Sequence, residues 1–165
     1  MKKTLTALLT VIMLICLLSG CSFSVSQPEI KSGEFNFSVT YEFDGETKTI
    51  SGIYECKYAG TSFALDGGAH RSWEGRIKGD EVEDRTVIGT TENGDTIELV
   101  LALIPEYFMD DFVEGYHEVP MPRLEVTVIS EEGMGGILNP DEIEECCGAK
   151  IVSYKYDEPI KNSFK

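Results

Sequence analysis

Residues Glu34 to Phe43 alternate without a break. Phe35, Phe37, Val39, Tyr41 and Phe43 fall on one side of an extended chain, and Asn36, Ser38, Thr40 and Glu42 fall on the other. A period of two over ten residues predicts a strand with one buried face. The turn dipeptide Asp44-Gly45 follows, and then Thr47 to Tyr58, where Ile50, Gly52, Tyr54, Cys56 and Tyr58 share a face. The two segments predict a β-hairpin, with Cys56 on a side that carries two tyrosines.

The rest of the chain repeats this grammar. Short strands are expected at Thr61 to Leu65, Arg71 to Lys78, Thr86 to Thr91, Asp95 to Ile104, Arg123 to Ser130 and Lys150 to Tyr156. Asn93-Gly94 suits a two-residue hairpin turn in which both positions take positive φ. Asp95 to Ile104 is apolar on both faces, as in a central or covered strand. Pro105 to Phe112 predicts a short helical turn. Asn139 to Cys147 predicts a helix, with Asn139 as cap, Pro140 in the first turn, Glu142 completing a capping box and Gly148 in the left-handed position past the end. About eight strands with one or two short helices predict a mainly β fold, an antiparallel β-sandwich or a partly closed barrel. Most connections are too short for parallel crossovers.

Met1 to Cys21 differs in character. Lys2 and Lys3 precede an apolar run from Leu5 to Leu18, and Ser19 and Gly20 supply small residues beside a cut site. Leu18-Ser19-Gly20-Cys21 resembles the lipobox of bacterial lipoproteins. The resemblance implies that residues 1–20 are a signal peptide and that Cys21 becomes the new N-terminus and carries fatty acyl chains such as palmitate. It also implies a membrane anchor on the extracytoplasmic face, since two chains hold stably where one does not. Fourteen apolar residues fall short of the roughly 20 that a spanning helix needs. The mature chain of 165 − 20 = 145 residues suits one domain, residues 34–165, behind a flexible tether, residues 21–33. Through its lipobox and acidic β domain the chain resembles the small lipoproteins of low-GC Gram-positive bacteria, a likeness that implies a compartment and no activity.

Behind the leader the charge is 12 − 29 = −17. Such a surface repels nucleic acid and anionic headgroups, and it leaves basic proteins, divalent cations and neutral ligands as partners. Cys56, Cys146 and Cys147 allow at most one disulfide, expected to join Cys56 to one of the adjacent pair, because neighbouring cysteines bridge each other only with strained geometry. Otherwise all three are small apolar core residues.

The residues offer little chemistry. No nucleophile elbow, zinc-peptidase spacing or phosphate-cradling glycine pattern occurs, and His70 and His117 are the only histidines. No enzyme activity and no cofactor are expected. Asp110, Asp111 and Glu114 are weak calcium candidates, oxygen donors without the DxDxDG spacing. Trp73 with Tyr54, Tyr58, Tyr107 and Tyr116 offers an aromatic platform, although the register of Trp73 with Ile77 favours the core. The expected function is a non-enzymatic cell-envelope lipoprotein whose β domain binds a protein or a glycan. The alternative is an inhibitor or immunity lipoprotein that captures a basic enzyme electrostatically. A hydrolase is a third reading, and it requires a pocket that sets a histidine beside a nucleophile.

Overall fold

A computed structural model of the chain describes residues 25–63, 68–79, 82–112, 119–127 and 140–165. The segment expected as a leader, with Cys21, lies outside the described residues, as do Glu114, Tyr116, His117 and Asn139. The described residues form seven antiparallel strands in two sheets, with two short helices and no closed barrel. The first sheet contains β1 (Ser32–Phe43), β2 (Glu46–Phe63), β3 (Ala69–Ile77) and β7 (Lys150–Tyr156) in the order β3-β2-β1-β7. The second contains β4 (Arg85–Thr90), β5 (Thr96–Val100) and β6 (Arg123–Thr127) in that order. Helices α1 (Pro105–Phe108) and α2 (Pro140–Cys147) occupy the connections on either side of β6.

The alternation in β1 is what fills the core. Phe35, Phe37, Val39 and Tyr41 are all buried, and β2 adds Tyr54 and Cys56 on the same side. Across from them lie Ile97 and Leu99 of β5 and Leu124 and Val126 of β6, so both sheets share one core. Asp44 and Gly45 both take positive φ in the two-residue turn that pairs Phe43 with Glu46. That conformation matches the twist of the flanking strands.

Several elements differ from expectation, each for a local reason. Thr47 to Tyr58 and the described part of the next expected segment, Thr61 to Phe63, are one strand, because Gly60, at φ 111°, is absorbed as an irregularity in the ladder with β3. Eight expected strands thus become seven. His70, placed in a loop by the sequence, belongs to β3. At Asn93-Gly94 only Gly94 takes positive φ, and its N–H donates to the Thr91 carbonyl, so the turn is longer than two residues. Strand β5 stops at Val100, where Ala102 enters the left-handed region at φ 51°, yet Leu101 stays fully buried. Helix α1 then drops Phe108 among the rings of Phe35, Tyr54 and Tyr156, with centroids 4.8, 5.5 and 6.2 Å away.

Part of the segment expected as a tether, residues 21–33, is paired. From Gln27 onward the chain is held by the C-terminal tail: Gln27 and Lys165 exchange backbone hydrogen bonds of 2.7 and 2.9 Å, and Pro28 pairs with Phe164. The Asn162 side chain accepts from the Ile30 N–H and donates to the Ile30 carbonyl, each at 2.9 Å. Two polar chain segments, neither with strand periodicity, complete each other's backbone hydrogen bonds here.

Glycine at position 75 is required by a neighbour. A Cβ there would lie 1.7 Å from the Tyr54 hydroxyl oxygen, and that hydroxyl donates to the Leu103 carbonyl at 3.3 Å. Gly75→Ala is therefore expected to destabilise the fold by about 1–3 kcal/mol in urea unfolding, as overpacking does. Adding Tyr54→Phe removes the nearest clashing atom, so the double variant should lose less than the sum of the single losses.

Candidate functional site

The acidic run after α1 holds the weak calcium candidates, and its central residue has another use. Asp111, 6% exposed, receives Arg71 Nε at 2.8 and 2.9 Å and Arg71 Nη2 at 2.5 Å, while Trp73 Nε1 donates to it at 2.6 Å. The carboxylate is saturated by a bidentate guanidinium and an indole, an arrangement that satisfies a buried charge. This hydrogen bonding raises the Arg71 pKa further above its usual value. Asp111 thus serves as an internal acceptor, which corrects its reading as a calcium ligand. Asp110 turns the chain at φ 53°, and Glu114 lies outside the described residues. Among the described residues no group of three or more histidine, cysteine or carboxylate side chains is placed to hold a metal ion.

The cysteines are also arranged differently from expectation. Cys146 and Cys147 are joined to each other, and Cys56 is an unbridged thiol, 1% exposed, in the middle of β2. Cys56 faces the core from the first sheet, whereas the pair ends α2 beside the Gly148 cap at φ 63°. Burial pushes the Cys56 thiol up to about 12. A group so resistant to ionisation is a poor nucleophile. Of the helix stripe, Ile143 is buried and Cys147 rests against the core, while Cys146 is exposed.

Trp73 is 7% exposed and its ring meets Tyr58 edge-on at 5.3 Å, while Tyr54 is buried beneath Phe108. These rings build the core and form no open platform. One catalytic pairing does form. Ser62 Oγ lies 2.9 Å from His70 Nε2 across the β2/β3 ladder. A nucleophile needs such a base, but it also needs a third group to orient the imidazole and donors for a developing oxyanion. His70 is exposed, and neither of the clefts described next is lined by it or by Ser62.

Two open clefts lie along β3. The larger, about 780 Å³, runs over Gly33, Cys56 and Gly75, three residues side by side on β1, β2 and β3. Its walls are Glu34, Glu55, Lys57, Glu74 and Arg76. Glu55 is held below the usual carboxylate range by hydrogen bonding from Arg76 at 2.7 Å, with Lys78 adding to the effect. The smaller, about 490 Å³, shares Gly75 and Arg76 and is bordered by Glu83 and Asp84. The two-glycine floor exposes backbone, and the walls are charged. No ring lines the larger cleft. The groove follows from the pleat: at Gly33, Cys56 and Gly75 the Cβ direction is toward the core, so backbone shows between the charged neighbours that point outward.

Two outcomes test this account. Asp111→Ala, which strands the Arg71 charge and the Trp73 N–H, should cost about 3–5 kcal/mol in urea unfolding, with Asp111→Asn intermediate. Because the folded pKa of Cys56 is raised from 9.0 to about 12, its contribution to stability is complete below pH 9 and is lost as pH climbs through that window. The stability of the parent chain should therefore fall more steeply between pH 9 and 12 than that of Cys56→Ala, whose buried tyrosines titrate as before.

Comparison with known proteins returns no matching family model, no matching curated protein and no matching solved structure.

Proposed function

We propose that the chain is a non-enzymatic cell-envelope lipoprotein, anchored through Cys21 on the extracytoplasmic face, whose β domain binds another protein. The observation that supports this reading is the 780 Å³ cleft, open and walled by charged residues of both signs. Such a surface suits the polar rim of a protein partner better than a small apolar ligand. A glycan is less well served, since Trp73 and Tyr54 are turned into the core.

A second reading is supported by charge. Of the twelve cations behind the leader, eight (Lys48, Arg71, Arg76, Lys78, Arg85, Arg123, Lys150 and Lys165) lie within 4 Å of a carboxylate. The 29 acidic residues therefore outnumber their local partners, and the surplus field points outward. That field would steer a basic enzyme toward the domain, as an inhibitor or immunity lipoprotein requires. It also argues against nucleic acid as a partner.

Mass spectrometry of chain extracted from its native membrane should show Cys21 as an acylated N-terminus, and Cys21→Ala should release the protein from the membrane fraction. With the native lipoprotein as bait, capture of a protein that survives high salt supports the first reading. A basic enzyme captured at low salt and lost at high salt supports the second. An unmodified Cys21 behind an intact leader would sink both.

A further inference from the structure

The place where the chain enters the fold is defined by three features. Arg71 Nη1 donates to the Ser26 carbonyl at 3.3 Å, Gln27 is paired with Lys165, and the Arg71 guanidinium stacks 4.0 Å above the Phe164 ring. In the β2/β3 ladder Arg71 lies opposite Thr61. The tip of that hairpin begins two residues further on, at Phe63, about 7 Å along the strand. Phe63 is 69% exposed, the most exposed large apolar side chain among the described residues. The entry point of the chain and a projecting aromatic ring therefore lie at the same pole.

We infer that this pole, bearing Ser26, Phe63 and Lys165, lies against the lipid bilayer, with the Phe63 ring as a second apolar contact beside the acyl chains on Cys21. The inference rests on the lipid-anchored reading above and adds an orientation to it. From Cys21 to Gln27 there are 27 − 21 = 6 residue steps, and six steps reach about 20 Å when fully extended. The first paired residue can therefore lie no further than that from the lipidated cysteine.

Charge distribution agrees. At the entry point the charges are paired, Arg71 with Asp111 and Lys165 with Glu29, which sums to zero. That local balance stands against −17 for the whole exported chain. The repulsion that keeps the rest of the domain off an anionic surface is absent at this pole. An exposed ring next to neutral surface is the composition of an interfacial contact.

The test uses the full lipidated chain in vesicles of phosphatidylcholine and phosphatidylglycerol, with and without lipids brominated in the acyl chain. Trp73, buried and bonded to Asp111, is the only native tryptophan and supplies the background. Phe63→Trp adds a reporter at the proposed contact. Val152→Trp adds one at a site 52% exposed on β7, beside the Thr40–Ser153 pair and roughly 25 Å along β1 from Ser32. The added emission of Phe63→Trp should shift to the blue and lose about half or more of its intensity to brominated lipid, with Val152→Trp and the parent unchanged. If Phe63→Trp stays unquenched on chain shown by mass to be acylated at Cys21, the orientation is wrong and the anchor stands. If Cys21 carries no lipid, the anchor and the orientation fall together.

Discussion

The Arg71 guanidinium holds four segments at once. It takes both oxygens of Asp111 from the loop after α1, donates to Ser26 at the entry of the chain, lies over Phe164 in the tail, and is itself carried by β3. Apart from β3, none of these segments has an apolar stripe long enough to fix its own position. A buried ion pair contributes little net stability against an apolar alternative, but its geometry admits few other arrangements. The hydrophobic layers hold the sheets together, and the Arg71–Asp111–Trp73 cluster determines where the irregular segments lie upon them.

A similar division of labour operates on the outer face of the second sheet. There Glu98 and Glu125 sit directly opposite each other on β5 and β6, a repulsive cross-strand pair in isolation. Arg85 of β4 reaches both, at 2.7 and 2.5 Å, and Arg123 adds a second cation to Glu125 at 2.7 Å. Even in a strongly acidic chain, the cations are placed where like charges are forced together. What remains for the surroundings is the surplus of carboxylates.

Local regularity was legible in the sequence, and long-range complementarity was not. The alternation of Phe35 to Tyr41, the shared face of Tyr54 and Cys56, the central position of Ile97 and Leu99 and the helix ending at Gly148 are all local patterns, and the structure contains each of them. The Asp111 acceptor could not be read because its partner lies forty residues away and an acidic run looks the same whether solvated or clasped. The same holds for Ile30 and Asn162, 132 residues apart, whose segments read as tether and tail. The open cleft was missed for a further reason. It is a groove on the outer face, floored by the backbone of Gly33, Cys56 and Gly75 and walled by their outward-pointing neighbours, which align only once the register through Cys56 is known. Of the two readings open for Cys56, a bridge or a small buried thiol, the sequence could not choose, since only the fold shows that its thiol points into the core of one sheet while the vicinal pair ends a helix.

The antiparallel clasp between Gln27 and Lys165 brings the two ends of the described residues side by side. A short linker would join them without disturbing a strand, and new ends opened at Asp44-Gly45 would fall at the far tip of the β1/β2 hairpin, on a turn that makes no other demand on the fold. Circular permutation at that turn would keep the same β layers and the same cleft. It would also turn the domain end over end, so that the surface now farthest from the chain's ends would lie beside the new ones.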